Sequence, residues 1–468
     1  MLNLDVYLNL RDGDTIAAIA TPPGEGGISV IRISGQDSFA VADRVFVGKS
    51  SLSASPSHTA HFGKIVDGEG NYVDEVVALT FKNPNSYTCE DVVEVSCHGG
   101  YIVTQRVLGM ILTAGARAAE PGEFTKRAFL NGRLDLSQAE AVGDLIHSKS
   151  EAAYRSSLRQ LSGELSREIK GVRDELLNLA SLLELELDFS EEDVEFANRK
   201  SLEGRLTDAL TVVDGLLSSY AVGRVYKEGV RVTIAGKPNA GKSSLLNALL
   251  REDRAIVSSI PGTTRDTISE SVVIDGIVFR LTDTAGLRET ADVIERQGVD
   301  RAQKEAEQGD ILLLVLDLSE NYYNGIDPLY SKLERICGAA GIKVIKVWNK
   351  LDIHRSGAPR LPDEGRVFYV SALTGEGIEA LRKGLLSAVL AADLGETSVV
   401  VTSARHRDAL SRAGKSLRYS LETLRSGRSG EFVAMDLRAG LNALGEITGE
   451  ITTDDILNNI FSKFCIGK

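Results

Sequence analysis

Eight consecutive residues, Gly236-Lys237-Pro238-Asn239-Ala240-Gly241-Lys242-Ser243, carry two glycines flanking a short loop and then a lysine and a hydroxyl. They follow the apolar run Val230-Arg231-Val232-Thr233-Ile234-Ala235 and precede the helix-like Ser244-Leu245-Leu246-Asn247-Ala248-Leu249-Leu250. This strand-loop-helix context is what a phosphate-binding loop requires. Successive backbone N–H groups and a helix N-terminus can face a polyphosphate there. Lys242 would reach the outer phosphates, and the Ser243 hydroxyl is placed to ligate Mg²⁺.

Downstream residues indicate which nucleotide. Asp283-Thr284-Ala285-Gly286 ends the strand-like Val278-Phe279-Arg280-Leu281, setting a carboxylate beside the metal and a glycine N–H toward a γ-phosphate. Asn349-Lys350-Leu351-Asp352 ends a second strand, Val344 to Trp348. An aspartate there can accept from both the ring N–H and the exocyclic amine of guanine, a donor pair that adenine lacks. Ser371-Ala372-Leu373 would close the base pocket after Val367 to Val370, and Thr263-Thr264-Arg265-Asp266 would supply a switch threonine that binds Mg²⁺ only while the γ-phosphate is present. Singly, each is ordinary turn chemistry; in this order they read as a GTPase. Nucleotide contacts are therefore expected from Asn239, Ala240, Gly241, Lys242, Ser243 and Ser244, from Ser258, Ser259, Ile260, Pro261, Gly262, Thr263 and Thr264, and from Asp283, Thr284, Ala285 and Gly286. Asn349, Lys350, Asp352, Ser371 and Ala372 complete the set, with Lys242 and Thr264 as catalytic groups and Ser243 and Thr264 as Mg²⁺ ligands.

These residues need a framework. A chain of 468 residues and 50.3 kDa suggests about three domains. A hydrophobic content of 43% fits a soluble globular protein, and no run is long and apolar enough to span a membrane. Met1 to Leu10 lacks the pattern of a signal peptide, and Cys89, Cys97, Cys337 and Cys465 have no metal-ligand spacing. A reducing cytoplasm fits. The net charge of −13 argues against non-specific nucleic-acid binding, so an RNA partner needs a local basic patch. Arg405, Arg407, Arg412, Lys415, Arg418, Arg425 and Arg428 offer one, unless they form only a solvated helix face.

The GTPase unit spans roughly Tyr226 to Ser387 and reads as alternating strands and helices. Ile311 to Leu316 is a fully buried strand, and Val272 to Leu281 is a hairpin turned by Asp275-Gly276, which predicts a mainly parallel sheet with one antiparallel edge strand. Leu158, Leu161, Leu165, Ile169, Val172, Leu176, Leu179, Leu183 and Leu187 recur at threes and fours, predicting a long amphipathic helix. Ala404 to Phe464 also reads helical, so the two flanks should form one bundle holding the GTPase unit as an insertion. In the first 125 or so residues, Ile28 to Ile33, Val76 to Phe81 and Val92 to Cys97 read as strands and Val103 to Thr113 as a helix. Thr21-Pro22-Pro23-Gly24-Glu25-Gly26-Gly27 is either a ligand loop or a tight connection.

The chain resembles, along its whole length, the tRNA uridine 5-carboxymethylaminomethyl modification GTPases, the MnmE or TrmE family. The likeness is carried by Thr21 to Gly27, by Pro84-Asn85-Ser86-Tyr87-Thr88, by Pro121-Gly122-Glu123-Phe124-Thr125-Lys126-Arg127-Ala128-Phe129-Leu130-Asn131-Gly132, by the P-loop, and by the tail Phe464-Cys465-Ile466-Gly467-Lys468. The resemblance implies an α/β multidomain chain: a Ras-like P-loop GTPase domain inserted in an α-helical bundle, preceded by an α+β folate-binding, dimerising domain. The corresponding divisions are residues 1–128 (folate binding and dimerisation), 129–225 (helical, first part), 226–387 (GTPase) and 388–468 (helical, second part). It further implies a homodimer that acts with an FAD-dependent, MnmG/GidA-like partner on C5 of the wobble uridine of certain tRNAs, drawing on a tetrahydrofolate one-carbon donor.

By the same resemblance, a folinate-type ligand would meet Arg32, Glu94, Arg133 and Lys468. A carboxylate suits the donor edge of a pterin, and cations suit a folate's glutamate tail. Taken by themselves, Arg32 and Glu94 read first as a salt-bridged strand pair. Cys465 falls in the family's C-terminal motif and is a candidate for redox or one-carbon chemistry, or else a buried or inert thiol. Cys465-Ile466-Gly467-Lys468 imitates a prenylation box, but Lys468 is not a typical last residue of one. Leu287 stands where Ras-like switches place a water-orienting glutamine; the resemblance gives that catalytic role to Glu295, which could instead cap the following helix. It also gives the role of an arginine finger to K⁺, held by Asn239, Ser258, Ile260 and Thr263, so hydrolysis should be faster in KCl than in NaCl and accompanied by closure of the two GTPase domains across the dimer. The competing readings are a ribosome-assembly or stress-signalling GTPase switch without folate chemistry, and a stand-alone transferase with incidental GTPase activity.

Overall fold

The computed structural model describes residues 14–188, 199–251, 269–283, 309–319, 328–353, 366–389 and 399–468. Its contacts gather the chain into two compact units: residues 1–146, 159–213 and 408–468 form the first, and residues 147–158 and 214–407 the second.

The first unit opens with an α+β layer: β1 (Ile16–Ile19), β2 (Ile28–Ser34), α1 (Ser38–Val45), β3 (Phe46–Gly48), β4 (Thr59–Val66), β5 (Tyr72–Phe81), β6 (Val92–His98), α2 (Tyr101–Thr113) and β7 (Arg117–Ala118). The strands make one sheet in the order β3-β4-β5-β6-β2-β1-β7, antiparallel throughout except for β7 beside β1. Alternate residues of the strands, among them Ile31, Ile33, Val93 and Val95, join Phe39 and Val41 of α1 and Val107 and Ile111 of α2 in one core. β5 begins at Tyr72, earlier than the apolar run at Val76, because strand alternation continues through Asp74. That carboxylate is buried but satisfied: it accepts from the His98 N–H at 2.8 Å and pairs with its ring at 2.7 Å.

Helices follow: α3 (Glu123–Leu130), α4 (Leu136–His147), α5 (Glu151–Leu161), α6 (Glu164–Asp188) and α7 (Arg199–Glu228). The leucine stripe read as one helix is two. Gly163 at φ +80° breaks it, and Leu158 lies exposed on α5, while Leu165, Ile169, Val172, Leu176, Leu179 and Leu183 form the buried face of α6. The Leu187 side chain lies outside the described residues.

In the second unit come β8 (Val230–Gly236), α8 (Lys242–Leu250), β9 (Ser269–Ile274), β10 (Ile277–Asp283), β11 (Ile311–Asp317), α9 (Pro328–Ala339), β12 (Lys343–Asn349), β13 (Val367–Tyr369) and α10 (Ile378–Val389). The sheet order is β13-β12-β11-β8-β10-β9, parallel except for the edge strand β9, which pairs antiparallel with β10 across the Asp275-Gly276 turn. β11 is apolar on both faces because both are covered. Ile311, Leu313 and Val315 join α8 and α10 in one core, and Leu312, Leu314 and Leu316 join Leu333 and Cys337 of α9 in another. The chain leaves β8 first toward β10 and later returns to β11 on its other side, so the carboxyl end of β8 is a switch point where a ligand crevice opens.

The last elements, α11 (Ala404–Arg425), α12 (Gly430–Thr448) and α13 (Asp454–Phe461), are helical as expected. Within the first unit, α12 packs along α6 and is tied to it by Arg438–Glu184 at 2.5 Å, while Arg412–Glu446 at 2.6 Å joins α11 to α12 and Arg425–Glu203 at 2.7 Å joins α11 to α7. The two flanks of the GTPase segment thus form one helical bundle.

Candidate functional site

The phosphate loop grows out of β8. Gly236, its last residue, lies so close to β11 that a Cβ would collide with the Val315 carbonyl, and Gly241, at φ +88°, opens α8 with its Cα facing the Asn349 amide. Only glycine fits either place. Asn239 is exposed at φ +64°, and Ala240 is buried behind it. Lys242 is buried, and its Nζ donates to the Gly236 and Lys237 carbonyls, each at 2.8 Å, so its ammonium is held inside the loop it closes. Ser243 and Ser244 are exposed in the first turn of α8. A loop whose amides surround a helix N-terminus, with a cation at its centre, suits a polyphosphate.

The residues expected to meet the base lie on the adjoining strand ends. Asn349 is buried at the end of β12; its Nδ2 donates to the Ala240 carbonyl at 2.9 Å, and its Oδ1 accepts from the Ala372 N–H at 3.0 Å. Lys350, at φ +70°, reaches back to Asp317 at the end of β11, with Nζ 2.5 Å from Oδ2. Burial pushes the Asp317 carboxyl up, but hydrogen bonds from Lys350 and from the Ser319 hydroxyl and N–H outweigh it and hold the group below the ordinary aspartate value. Asp352 is exposed, and its Oδ1 accepts from the buried Ser371 hydroxyl at 2.5 Å. The residues expected to meet phosphate and guanine are thereby joined through Asn349. Asp317 escaped the sequence reading; its signal was a lone carboxylate at the carboxyl end of an all-apolar strand, in register with Asn349. Asp283 ends β10, in register with Ile234 of β8. Ser258, Ser259, Ile260, Pro261, Gly262, Thr263, Thr264, Thr284, Ala285, Gly286, Leu287 and Glu295 lie outside the described residues, which leaves the switch threonine, the expected catalytic glutamate and three of the four K⁺ positions undescribed.

A second constellation lies in the first unit. Arg32 of β2 and Glu94 of β6 are direct cross-strand partners, with Nε 2.8 Å from Oε1. The Arg32 Cζ also lies 5.0 Å from the Tyr87 ring centre, and that of Arg133 lies 4.9 Å from the same ring. Tyr87, Glu94 and Arg133 line a cavity of about 500 Å³, together with His58, Phe81 and Cys89 among others, a volume within the usual range of small-molecule pockets. The salt-bridged strand pair and the cavity are both present, so the two readings of Arg32 and Glu94 are compatible. Arg32 Nη1 is buried without a hydrogen-bond partner among the described residues, and Arg133 donates to the Ser86 carbonyl at 3.1 Å. One carboxylate against two guanidinium groups suits a ligand with both a donor edge and an anionic part. Lys468 lies outside that lining.

The family-like stretches that looked unrelated in the sequence meet here. Asn131 Nδ2 donates to the Thr88 carbonyl at 2.7 Å, Tyr87 Oη and Thr125 Oγ1 are 2.9 Å apart, and Ile466 pairs with Pro121 in an antiparallel bridge. Gly122 and Gly467 are both at positive φ, where a Cβ would collide with the Phe461 and Ile19 carbonyls, so the tail threads through spaces only glycine leaves. Cys465 is exposed. Beneath this lies a network the sequence reading missed. Arg127 pairs with Asp14 at 2.7 Å, with Glu123 at 3.0 Å and with Glu90 at 3.2 Å, and Arg117 pairs with Asp14 at 2.7 Å and with Glu123 at 2.6 Å. Burial raises the Glu123 carboxyl, but Arg117 and the Glu120 N–H outweigh it and hold it low; Asp14 is likewise raised by burial and lowered further by Arg117 and Arg127.

In the proposed basic patch, Arg412 and Arg425 are neutralised by Glu446 and Glu203, Lys415 lies over the Tyr419 ring and Arg407 over Tyr220. The described helices include none long and apolar enough to cross a membrane.

Residues 15–133 match the family model described as the GTP-binding protein TrmE N-terminus, and residues 136–465 match that of the MnmE helical domain. The protein named tRNA modification GTPase MnmE from Chlorobium luteolum is 47% identical over 463 residues, covering 97% of each chain, and that from Chlorobium phaeobacteroides is 48% identical over 466 residues, again 97% of each. Its counterpart in Cytophaga hutchinsonii is 46% identical across 97% of this chain and 98% of its own. Among solved structures, a point variant of Aquifex aeolicus Era bound to GDP and AlF4⁻ is 26% identical over 40% of this chain and 66% of its own, with a TM-score of 0.26; the G domain of the T. maritima FeoB iron transporter is 24% identical over 34% and 98%, with a TM-score of 0.24.

Proposed function

The chain belongs to the MnmE family of tRNA modification GTPases, a GTP hydrolase by that membership, and from this premise we propose that it works with an FAD-dependent, MnmG-like partner to install a carboxymethylaminomethyl group at C5 of the wobble uridine of certain tRNAs. The one-carbon unit comes from a tetrahydrofolate derivative. The observation that carries this reading is the convergence of Tyr87, Glu94 and Arg133 on one cavity, with Arg32 paired to Glu94 and the C-terminal tail anchored beside α3 in the same unit.

In this reading the divisions at 128/129, 225/226 and 387/388 separate a folate-binding and dimerising domain, a discontinuous helical domain and the GTPase, and the protein is a cytoplasmic homodimer. Lys242 and the amides of the loop Gly236 to Ser243 orient the GTP phosphates. Ser243 and Thr264 would hold Mg²⁺, which offsets phosphate charge when bound; Asn239, with Ser258, Ile260 and Thr263, would hold K⁺ to the same end. Asn349, Lys350 and Asp352 select guanine, and Ser371 keeps the Asp352 carboxylate oriented. Glu295 positions the attacking water. At the other site Glu94 accepts from the pterin edge, Arg32, Arg133 and Lys468 supply the cations that suit the glutamate tail, and Cys465 is available at the exposed tail for redox or one-carbon chemistry.

Calorimetric titration of the full-length protein with 5-formyltetrahydrofolate tests the folate half of this reading. Saturable binding that is lost in Glu94→Ala is expected; absence of binding by the wild type would leave a GTPase switch without folate chemistry.

A further inference from the structure

Lys350 pairs not with the carboxylate two residues on but with one from another strand. Its Nζ lies 2.5 Å from Oδ2 of Asp317, the last residue of β11. Asp352 accepts from the Ser371 hydroxyl at 2.5 Å and from no other described residue. Asp317 is buried, and its second oxygen, Oδ1, accepts from the Ser319 hydroxyl at 2.6 Å and the Ser319 N–H at 2.9 Å. One carboxylate at these strand ends is therefore saturated by the protein's own donors, and the other is held at a single oxygen.

Both members of the Asp317–Lys350 pair stand where other residues would be easier to place. Lys350 adopts φ +70°, a conformation that glycine or asparagine enters far more readily. Asp317 closes a strand whose other residues, Ile311 to Leu316, are apolar and buried, and a carboxylate there is tolerated only when it is paired. The strand's own bonding does not require it, since the Leu318 N–H donates to the Asn349 carbonyl at 3.0 Å through the backbone alone. The base pocket supplies a reason for the pair. Guanine offers Asp352 two N–H donors, and an ammonium on a flexible four-carbon stem two residues away would compete for the same oxygens. An ammonium already neutralised by Asp317 does not.

We propose that Asp317 is a positioning residue that determines base specificity: it holds the Lys350 ammonium as a fixed counter-charge, so that the Asp352 carboxylate stays open to the donor edge of guanine. Asp317 acts through Lys350 and does not touch the nucleotide. The inference rests on the guanine reading above and adds to it the residue that keeps the acceptor free.

The test is calorimetric titration of the full-length protein with GDP and with IDP, whose base lacks the exocyclic amine, comparing wild type, Asp317→Asn and the double variant Asp317→Asn/Lys350→Met. The two Ser319 donors claim the single carbonyl oxygen of an asparagine, which turns its NH₂ toward the ammonium and releases Lys350. GDP affinity should then fall about 10-fold or more, the loss expected when a charged acceptor is taken from its donors, and the preference for GDP over IDP should narrow. In the double variant the ammonium is gone, so both affinity and preference should recover most of that loss. A purely structural role for Asp317 would not be rescued by a second substitution. Wild-type affinity and preference in Asp317→Asn, or a double variant no better than Asp317→Asn, overturns the proposal and leaves the guanine reading standing. A wild type that binds GDP and IDP alike overturns both. Should Asp317→Asn fail to give a cooperative thermal transition, Asp317→Ser, neutral and smaller, takes its place with the same expected and contrary results.

Discussion

Asn349 and Ala240 are joined by a 2.9 Å hydrogen bond from the buried side-chain amide at the end of β12 to the backbone carbonyl of the phosphate loop. The other end of the same amide takes the Ala372 N–H. In the proposed site, one side chain thus fixes the base pocket relative to the phosphate pocket, so a nucleotide that spans both would meet a frame already assembled.

Asn349→Ala leaves the Ala240 carbonyl and the Ala372 N–H buried without this partner, at about 1–3 kcal/mol for such groups. GDP and GTP affinity should each fall about 10-fold or more, read by titration with a fluorescent nucleotide. Unchanged affinity would show that the two pockets are held together by something else.

The network of Asp14, Glu90, Glu123, Arg117 and Arg127 clamps the loop carrying Tyr87 to α3. Removing one member of a buried ion-pair network leaves uncompensated charge, so Arg127→Met should destabilise the first unit by about 3 kcal/mol. The folded-state carboxyls of Asp14 and Glu123 lie below their ordinary values of 3.8 and 4.5. Their contribution is complete above those ordinary values and is lost as pH falls through the lowered folded ones. Wild-type thermal stability should therefore drop below about pH 4, and Arg127→Met should show a shallower drop. Parallel curves would contradict the assignment.

Hydrolysis should be much faster in KCl than in NaCl, because Leu287 cannot orient water as a glutamine does and Asn239 stands exposed on the loop to hold a monovalent cation. In Asn239→Ala the two salts should give nearly equal rates. A variant that retains the K⁺ response would remove Asn239 from that role.

The residues expected to meet a nucleotide could be picked out because their chemistry is local: glycines, a lysine and strand-end polar residues within short stretches, on a sheet whose central strand is buried along its whole length. Where an interaction is long-range, the sequence said less. Asp317 holds Lys350 across two strands, and Arg127 finds Asp14 and Glu90 from distant loops, with nothing in the spacing to pair them. Gly163 could have been read as a helix break within the leucine stripe, but the periodicity on both sides of it concealed the interruption. The helix α7 carried its own signal, Leu202, Leu206, Ala209, Val213 and Leu216 at alternating fours and threes, all buried, and it lay beyond the elements read from the sequence.

The most direct test is mass spectrometry of wobble-uridine nucleosides in tRNA from cells lacking this chain, complemented with wild type or with Lys242→Ala. The account predicts that the carboxymethylaminomethyl nucleoside disappears on deletion, returns with the wild type and does not return with Lys242→Ala. A nucleoside profile that deletion leaves unchanged would contradict it.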